Sequence, residues 1–198
     1  LARPAKRGLL QNGAAMTFKL KAQDKAQALR ANRGRRVEDK VEELHETHAF
    51  RLHAELWRCY PGVRGGRVVK PQGPDFQGLL VESGRHVFVE VKAVLEGHLK
   101  LPRPGLTAEG KPRTGAFTVA ELERLRACDR HGGLAVVLVL HGPLTVAAWC
   151  PIPWAVIEAA IAAGTPSLHE SRILSRRCRP ADYLRSAEAS ARNLWRAA

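Results

Sequence analysis

The stretches GPDFQG (residues 73–78) and VFVEVK (residues 87–92) decide the predicted fold of this chain. In the second stretch three valines alternate with Phe88, Glu90 and Lys92, which is typical of a strand whose two faces meet different surroundings. This period of two places Glu90 and Lys92 on the same face. A glycine-containing turn between the stretches predicts a hairpin, which brings Asp75, at the start of the first strand, beside both of them.

Two converging carboxylates and a lysine are a set that suits metal-dependent phosphodiester hydrolysis. Asp75 and Glu90 offer the oxygen ligands that Mg²⁺ prefers, and the bound ion activates water and neutralises phosphate charge. Lys92 can orient that water or stabilise developing negative charge. The carbonyl of Val91, between the two functional side chains, can add a ligand. The pattern therefore predicts an endonuclease site; the alternative is a solvated Glu90–Lys92 ion pair at a hairpin edge.

The rest of the chain alternates between predicted helices and strands. Apolar residues at helical spacing predict a helix from Arg35 to about Arg58, which Tyr60-Pro61-Gly62 ends. Further strands are predicted at 67–70, 134–140 and 144–150, helices at 118–130, 153–162 and 180–196, and a loop or flap at 94–116. This order predicts an α/β fold around one mixed sheet of about five strands.

The net charge of +13 lies in the terminal segments. Residues 1–36 carry ten Lys or Arg and one acid, and residues 164–198 carry seven and three, so the remainder has fifteen of each sign. Basic ends around a neutral centre suit a polyanion such as DNA, although a solvated tail is the alternative. We therefore divide the chain into a basic, partly disordered arm (1–31), a nuclease core (32–163) and a basic helical segment (164–198). The candidate DNA-binding residues are Lys19, Lys21, Lys25, Arg33, Arg35 and Arg36.

The cysteines and apolar runs bear on the compartment. The four cysteines are widely spaced, which argues against a zinc ribbon or a disulfide framework and favours free thiols in a reducing cytosol. No apolar run approaches the roughly 20 residues that span a bilayer, and residues 1–20 do not resemble a secretory signal. We therefore expect a cytoplasmic protein without a membrane partner. The tryptophans are expected in the core rather than as base-stacking surfaces, and they are Trp57, Trp149, Trp154 and Trp195.

The set formed by Asp75, Glu90 and Lys92 resembles the PD-(D/E)XK nuclease superfamily. The start of the predicted core, NRGRRVE at residues 32–38, further resembles RecU-type Holliday junction resolvases, in which an Asn-Arg-Gly turn leads into a helix that bears an acid. That acid matches Glu38. The other matching residues are Glu46-Thr47, Asp75-Phe76 with Gly78, and Gly132-Gly133, so the similarity runs roughly from residue 32 to 153.

This resemblance implies a restriction-endonuclease-like core and a definite activity. Its members act as homodimers that bind four-way DNA junctions and nick two strands symmetrically, and Mn²⁺ can replace Mg²⁺. The small size and the composition, rich in Ala and Arg, suit a bacterial cell or a phage-infected host as the setting. The resemblance also makes Glu38 a metal-facing carboxylate. Glu42, one turn later, is a rival, and the helix dipole alone favours an acid in the first turn.

Three departures from RecU proteins leave alternatives open. Only about 15 residues separate Tyr60 from Asp75, where the family has a long stalk that helps to seat the junction. The loop 94–116 is longer than the family's. Glu121 stands where the family usually has Gln, and it either adds a carboxylate near the metal or is noncatalytic. The alternative functions are another nuclease of this superfamily, of restriction or repair type, and a noncatalytic DNA-binding protein.

Overall fold

The computed structural model describes residues 32–60, 62–64, 67–69, 74–106, 110 and 112–197. The chain divides into two units, residues 1–36 and residues 37–198. In the first unit residues 32–36 are helical and expose the side chains of Arg33, Arg35 and Arg36. The predicted arm, with Lys19, Lys21 and Lys25, lies outside the described residues.

Helices and strands alternate through the second unit. The helices are α1 (37–45), α2 (His48–Arg51), α3 (Val119–Arg130), α4 (Trp154–Ala162), α5 (Glu170–Leu174) and α6 (Tyr183–Ala197), with a 3₁₀ turn at Pro180–Asp182. The strands are β1 (Ala54–Arg58), β2 (Gly62–Arg64), β3 (Arg67–Val69), β4 (Phe76–Leu80), β5 (His86–Val94), β6 (Leu99–Lys100), β7 (Arg103–Leu106), β8 (Pro112–Arg113), β9 (Leu134–His141), β10 (Ala148–Pro153) and β11 (Ser167–Leu168). No helix in the described ranges is long and apolar enough to cross a membrane.

Five strands form the central sheet, in the order β1-β4-β5-β9-β10. Strands β5 and β9 pair in parallel and the other neighbours pair antiparallel, so the sheet is mixed, as the sequence predicts. Three pairs of short strands lie outside it: β2 with β3, β7 with β8, and β6 with β11. The β7–β8 pair and β6 fall within the segment that the sequence predicts as a loop.

Helices pack on both faces of the sheet. Apolar residues of α1, α2 and α6 form one core with β4, β5 and β9, and those of α3, α4 and α5 form a second core with β9 and β10. All eight residues of β9 are buried, because this strand has neighbours on both sides and helices on both faces. Helix α6 contributes the fully buried Tyr183, so the basic C-terminal segment helps to build the core.

One predicted element is wrong. Residues 54–58 form strand β1 rather than the end of a long helix, because Thr47 caps the new helix α2 and the chain then pairs with β4. The spacing of Leu52 and Leu56 imitates a helix face, but Leu52 is 57% exposed. Strand pairing satisfies the backbone of β1, and this outweighs the local spacing.

Two smaller differences concern single residues and bounds. Strand β10 covers Ala148–Pro153 rather than 144–150, since residues 144–146 form the turn that precedes it. In α3, Leu122, Leu125 and Cys128 are buried, whereas Val119 is 45% exposed. Gly133, which precedes β9, has no room for a side chain, because a Cβ there would lie 2.5 Å from Cys128 Sγ.

The tryptophans follow the sequence prediction only in part. Trp149 and Trp154 are buried in the cores, as expected. Trp57 is 50% exposed on β1, so the prediction that it belongs to the core is wrong. The side chain of Trp195 lies outside the described part of the chain.

Candidate active site

The hairpin of β4 and β5 brings Asp75 and Glu90 together. Phe76 pairs with Val89, and continuing this register by one residue places Asp75 opposite Glu90. Both side chains point to the same sheet face, because residues directly opposite each other in an antiparallel pair share a face. The structure therefore brings together the two carboxylates that the sequence predicts.

Asp75 is held where the β4–β5 ladder stops. The next pair in register would join Pro74 to Val91, but proline has no N–H to donate to the Val91 carbonyl. The Val91 N–H instead donates to Asp75 Oδ2 at 2.7 Å. In an antiparallel pair the N–H and C=O of one residue point to the same side, so the Val91 carbonyl points to the side of Asp75. This geometry supports the prediction of that carbonyl as a ligand.

Lys92 bridges two carboxylates on the same face. Its Nζ donates to Glu90 Oε1 at 2.7 Å and to Glu121 Oε2 at 2.9 Å, and it lies 5.2 Å from the Phe117 ring centre. Glu121 Oε2 also accepts from the Thr118 N–H at 2.9 Å, as part of the capping box that starts α3. Glu121 thus fixes Lys92 to α3. We call Asp75, Glu90, Lys92 and Glu121 the catalytic cluster.

Burial shapes the charges of the catalytic cluster. It raises the pKa of Asp75 to about 6, with Glu38 and Glu121 adding to the effect and the Val91 N–H opposing it. Burial and the nearby Asp75 raise the pKa of Glu90 well above its usual range. Burial alone would lower the pKa of Lys92, but Glu90 and Glu121 outweigh it and leave the pKa raised. Lys92 is therefore a cation at neutral pH, suited to hold a phosphate oxygen rather than to accept a proton.

The cluster has the donors that a hard divalent cation needs. Burial raises the pKa values of both Asp75 and Glu90. The positive charge around these two carboxylates therefore does not compensate for their loss of solvent. In the described part of the chain, no three His, Cys, Asp or Glu side chains are grouped to hold a metal by themselves. Mg²⁺ usually takes only one or two carboxylates and keeps several waters, so Asp75, Glu90 and the Val91 carbonyl fit it.

Glu38 belongs to a second group of charges. Arg58 on β1 donates to Glu38 at 2.5 Å, to Asp39 at 2.6 Å and to Glu42 at 2.9 Å. We call these four residues the Arg58 cluster. Glu38 also lies near enough to Asp75 to raise its pKa. The metal-facing role of Glu38 stays a prediction, and the rival Glu42 lies in the same cluster.

Two further residues near the carboxylates are absent from the sequence prediction. The Cys59 N–H donates to the Asp75 carbonyl at 2.9 Å. Burial and the charges of Asp75 and Glu90 raise the pKa of the Cys59 thiol, while Arg124 on α3 opposes them. Cys59 follows β1, which the sequence assigns to a helix, so its place opposite Asp75 had no detectable signal.

The comparisons with known proteins add little. No model of a known protein family matches this chain, and no curated protein matches it. Among solved structures the chain is similar to Hjc, a Holliday junction resolvase from the archaeal hyperthermophile Archaeoglobus fulgidus. The identity is 19%, the TM-score is 0.36, and the match covers 74% of this chain and 99% of that chain. A likeness of this size carries no argument about function, so the roles of the catalytic cluster rest on its own geometry.

Proposed function

We propose that this protein is a DNA endonuclease that resolves four-way (Holliday) junctions by metal-dependent phosphodiester hydrolysis with paired, symmetric nicks. The observation that carries the proposal is the convergence of the buried Glu90 with the half-buried Asp75 and Lys92 at the end of the β4–β5 hairpin. Burying such groups without a function would be costly. The choice of four-way junctions over other DNA rests on the sequence resemblance to RecU-type resolvases.

Each residue of the cluster has a defined part in this chemistry. Mg²⁺, or Mn²⁺ in its place, would be held by Asp75, Glu90 and the Val91 carbonyl, with Glu38 nearby, and would supply an activated water and neutralise phosphate charge. The Val91 N–H fixes the orientation of Asp75. Lys92, anchored by Glu121, presents a protonated amine to the negative charge that develops on the phosphate.

The proposal includes DNA and a second copy of the chain as partners. Basic residues before the core would contact phosphates, and they are Lys19, Lys21, Lys25, Arg33, Arg35 and Arg36. One chain offers one catalytic cluster, so two symmetric nicks require a homodimer. The apolar strand β9 is buried between β5 and β10, so its residues are not exposed for contact with a second copy. The setting would be the cytoplasm of a bacterium or of a phage-infected host.

Cleavage of matched substrates tests this function. A labelled four-way junction and a linear duplex of the same sequence are incubated with the protein under excess competitor DNA, with Mg²⁺ or with a chelator. We expect paired nicks at symmetric positions of the junction with Mg²⁺ and none with the chelator. Equal cutting of the duplex would identify a general nuclease. Binding without cutting in either Mg²⁺ or Mn²⁺ would identify a noncatalytic DNA-binding protein.

A further inference from the structure

The segment from α5 to Cys178 lies beside β10, the strand at the far edge of the central sheet from β1. Ile173 of α5 is fully buried in the second core, and the Cys178 N–H donates to the Trp149 carbonyl at 3.0 Å. The segment is therefore fixed to the fold at two points. It carries the exposed Arg172 and Arg177 and the half-buried Arg176, which we call the α5 arginines.

Acids of the protein do not compensate the charge of the α5 arginines. Among the residues that the structure describes, no carboxylate forms an ion pair with any of the three. The acids nearest to them in the chain have other neighbours: Glu170 lies 3.8 Å from His141 Nε2, and Asp182 lies 3.9 Å from Arg185 Nη1. The segment therefore presents three positive charges without a counter-ion from the fold.

The α5 arginines differ in this respect from other arginines of the surface. Arg126 and Arg192 each lie 2.8 Å from a carboxylate. Burial and the charge of Arg172 lower the pKa of Arg176, which is the direction expected for a cation that has lost solvent and faces a like charge. An anion from outside the protein would stabilise this group.

Helix α5 packs on the sheet face that carries the catalytic cluster. Ile173 shares the second core with Val139 of β9. Val139 lies beside Lys92 in β5 and beside Cys150 in β10, so these three residues form one row across the sheet. Neighbours in such a row share a face. The α5 arginines and Lys92 are therefore reached from the same side of the sheet.

The same row gives the distance between the two features. Three strand spacings of about 4.8 Å lead from β5 through β9 and β10 to the backbone at Cys178, so roughly 15 Å separate it from the backbone of Lys92. Burial raises the pKa of Cys150 to about 11 and the charge of Arg177 opposes this, which places Arg177 near the row. One strand of duplex DNA advances about 3.4 Å per phosphate, so the distance corresponds to about four nucleotides.

We propose that the α5 arginines bind backbone phosphates of a duplex DNA arm, about four nucleotides from the cleaved phosphate. The inference rests on the proposed function and adds a second binding surface to it. Guanidinium groups match phosphate oxygens in geometry and charge. Phosphate contacts fix the position of DNA without reading its sequence, so this surface would hold an arm of any sequence against the catalytic cluster. The alternative role of these arginines is to protect a sheet edge from pairing with other chains.

The salt dependence of DNA binding tests the inference in a cleavage-deficient Asp75→Asn background. Arg172→Gln and Arg177→Gln are combined, because both side chains are exposed and their loss should not disturb the core. The plot of log affinity against log salt concentration for a four-way junction should become shallower by about 1.8, which is about 0.9 for each lost phosphate contact. Arg172→Lys with Arg177→Lys should retain most of the slope.

The matched control removes two positive charges from the opposite face. Arg185 and Arg192 lie on α6, which packs in the first core, and both have carboxylate partners. Arg185→Gln with Arg192→Gln should therefore leave the slope unchanged. Equal slopes for the Asp75→Asn protein with and without Arg172→Gln and Arg177→Gln would overturn the inference. An unchanged slope together with new aggregation in light scattering would assign the α5 arginines to edge protection.

A scan with uncharged methylphosphonates locates the contact on the DNA. One phosphate at a time is replaced, counting from the position at which the wild-type protein cuts. We expect replacements about four nucleotides away to weaken binding of the Asp75→Asn protein, but not of the protein that also carries Arg172→Gln and Arg177→Gln. The same sensitivity in both proteins at every position would overturn the inference. A shallower slope of the double variant, together with no cleavage by the wild type, would contradict the proposed function alone.

Discussion

The catalytic cluster and the Arg58 cluster have the same charges but different surroundings. Each contains three carboxylates and one basic side chain. In the Arg58 cluster the carboxylates of Glu38, Asp39 and Glu42 are 31%, 49% and 29% exposed, so water compensates the excess negative charge. In the catalytic cluster Glu90 is only 3% exposed, and burial raises the pKa values of both Asp75 and Glu90.

This difference is why we assign the proposed chemistry to the buried group and not to the exposed one. Exposed ion pairs contribute little because the solvent screens them. Buried carboxylates that cannot be solvated need a proton or a cation, and this need supports the proposed metal site. Glu38 is the residue that connects the two clusters, because it bonds to Arg58 and also raises the pKa of Asp75.

The largest expected effect comes from the two buried carboxylates. Asp75→Asn or Glu90→Gln should reduce cleavage of a four-way junction by more than about 1,000-fold, because each removes a metal ligand. DNA binding should survive, since phosphate contacts come from other residues. Single-turnover cleavage and gel-shift measurements on the same preparations check this. Asp39→Asn, in the exposed cluster, is the matched control, and normal cleavage by Glu90→Gln would refute the assignment of the site.

Removal of the half-buried Lys92 should have the next largest effect. Lys92→Ala should slow single-turnover cleavage about 100- to 1,000-fold, because it removes a cation that stabilises phosphate charge. Lys100→Ala removes an exposed lysine and should leave the rate unchanged. Circular dichroism confirms that each variant folds. A rate for Lys92→Ala within twofold of wild type would make Lys92 an ordinary strand residue.

Glu38 and Asp39 both bond to Arg58, and Glu38 also raises the pKa of Asp75. Comparing variants of these two residues therefore tests whether Glu38 supports the metal site. If Glu38 supports the metal site, Glu38→Gln should raise the Mg²⁺ concentration needed for half-maximal cleavage by about 10- to 100-fold. Asp39→Asn should change it little, and Glu42→Gln tests the rival acid. Equal effects of Glu38→Gln and Asp39→Asn would confine Glu38 to the Arg58 cluster.

The smallest expected effect concerns stability rather than activity. The pKa of Asp75 is raised from 3.8 to about 6, so the folded protein holds this proton more tightly than the unfolded chain. This tighter proton binding stabilises the folded state fully below the unfolded pKa of 3.8, and the stabilisation is lost as the pH rises through the folded pKa of about 6. Without metal, Asp75→Asn should therefore raise the free energy of unfolding above pH 7 by about 3 kcal/mol, and hardly change it near pH 4. Urea unfolding in the presence of a chelator measures both values, and a variant that is less stable above pH 7 would contradict this origin of the shift.

The central hairpin and the meeting of Asp75 with Glu90 in it were predictable because their signals are local. The alternation around Glu90 and the turn before His86 set the strand faces without reference to other elements. The apolar run of β9 and the helix at 118–130, which the structure has as α3, were equally visible in the sequence. The sequence therefore predicted a mixed five-stranded sheet with Glu90 and Lys92 on one face and Asp75 beside them.

The edge of the sheet was not predictable in the same way. Strand β1 forms through pairing with β4, and its residues carry the apolar spacing of a helix. That error hid the position of Cys59, the Arg58 cluster and the exposure of Trp57, all of which depend on where β1 lies. The contact between Glu121 and Lys92 was not predictable either, because it depends on how α3 packs against β5.

Calorimetric titration of Mn²⁺ into the DNA-free protein near pH 6, close to the pKa of Asp75 of about 6, tests most directly whether the buried carboxylates form a metal site. Performed in two buffers of different ionisation enthalpy, it measures both binding and the protons released. We predict binding accompanied by proton release for the wild-type protein and for Asp39→Asn, and loss of binding for Asp75→Asn. Binding of equal strength to the Asp75→Asn protein, or no binding to the wild type, would contradict the account.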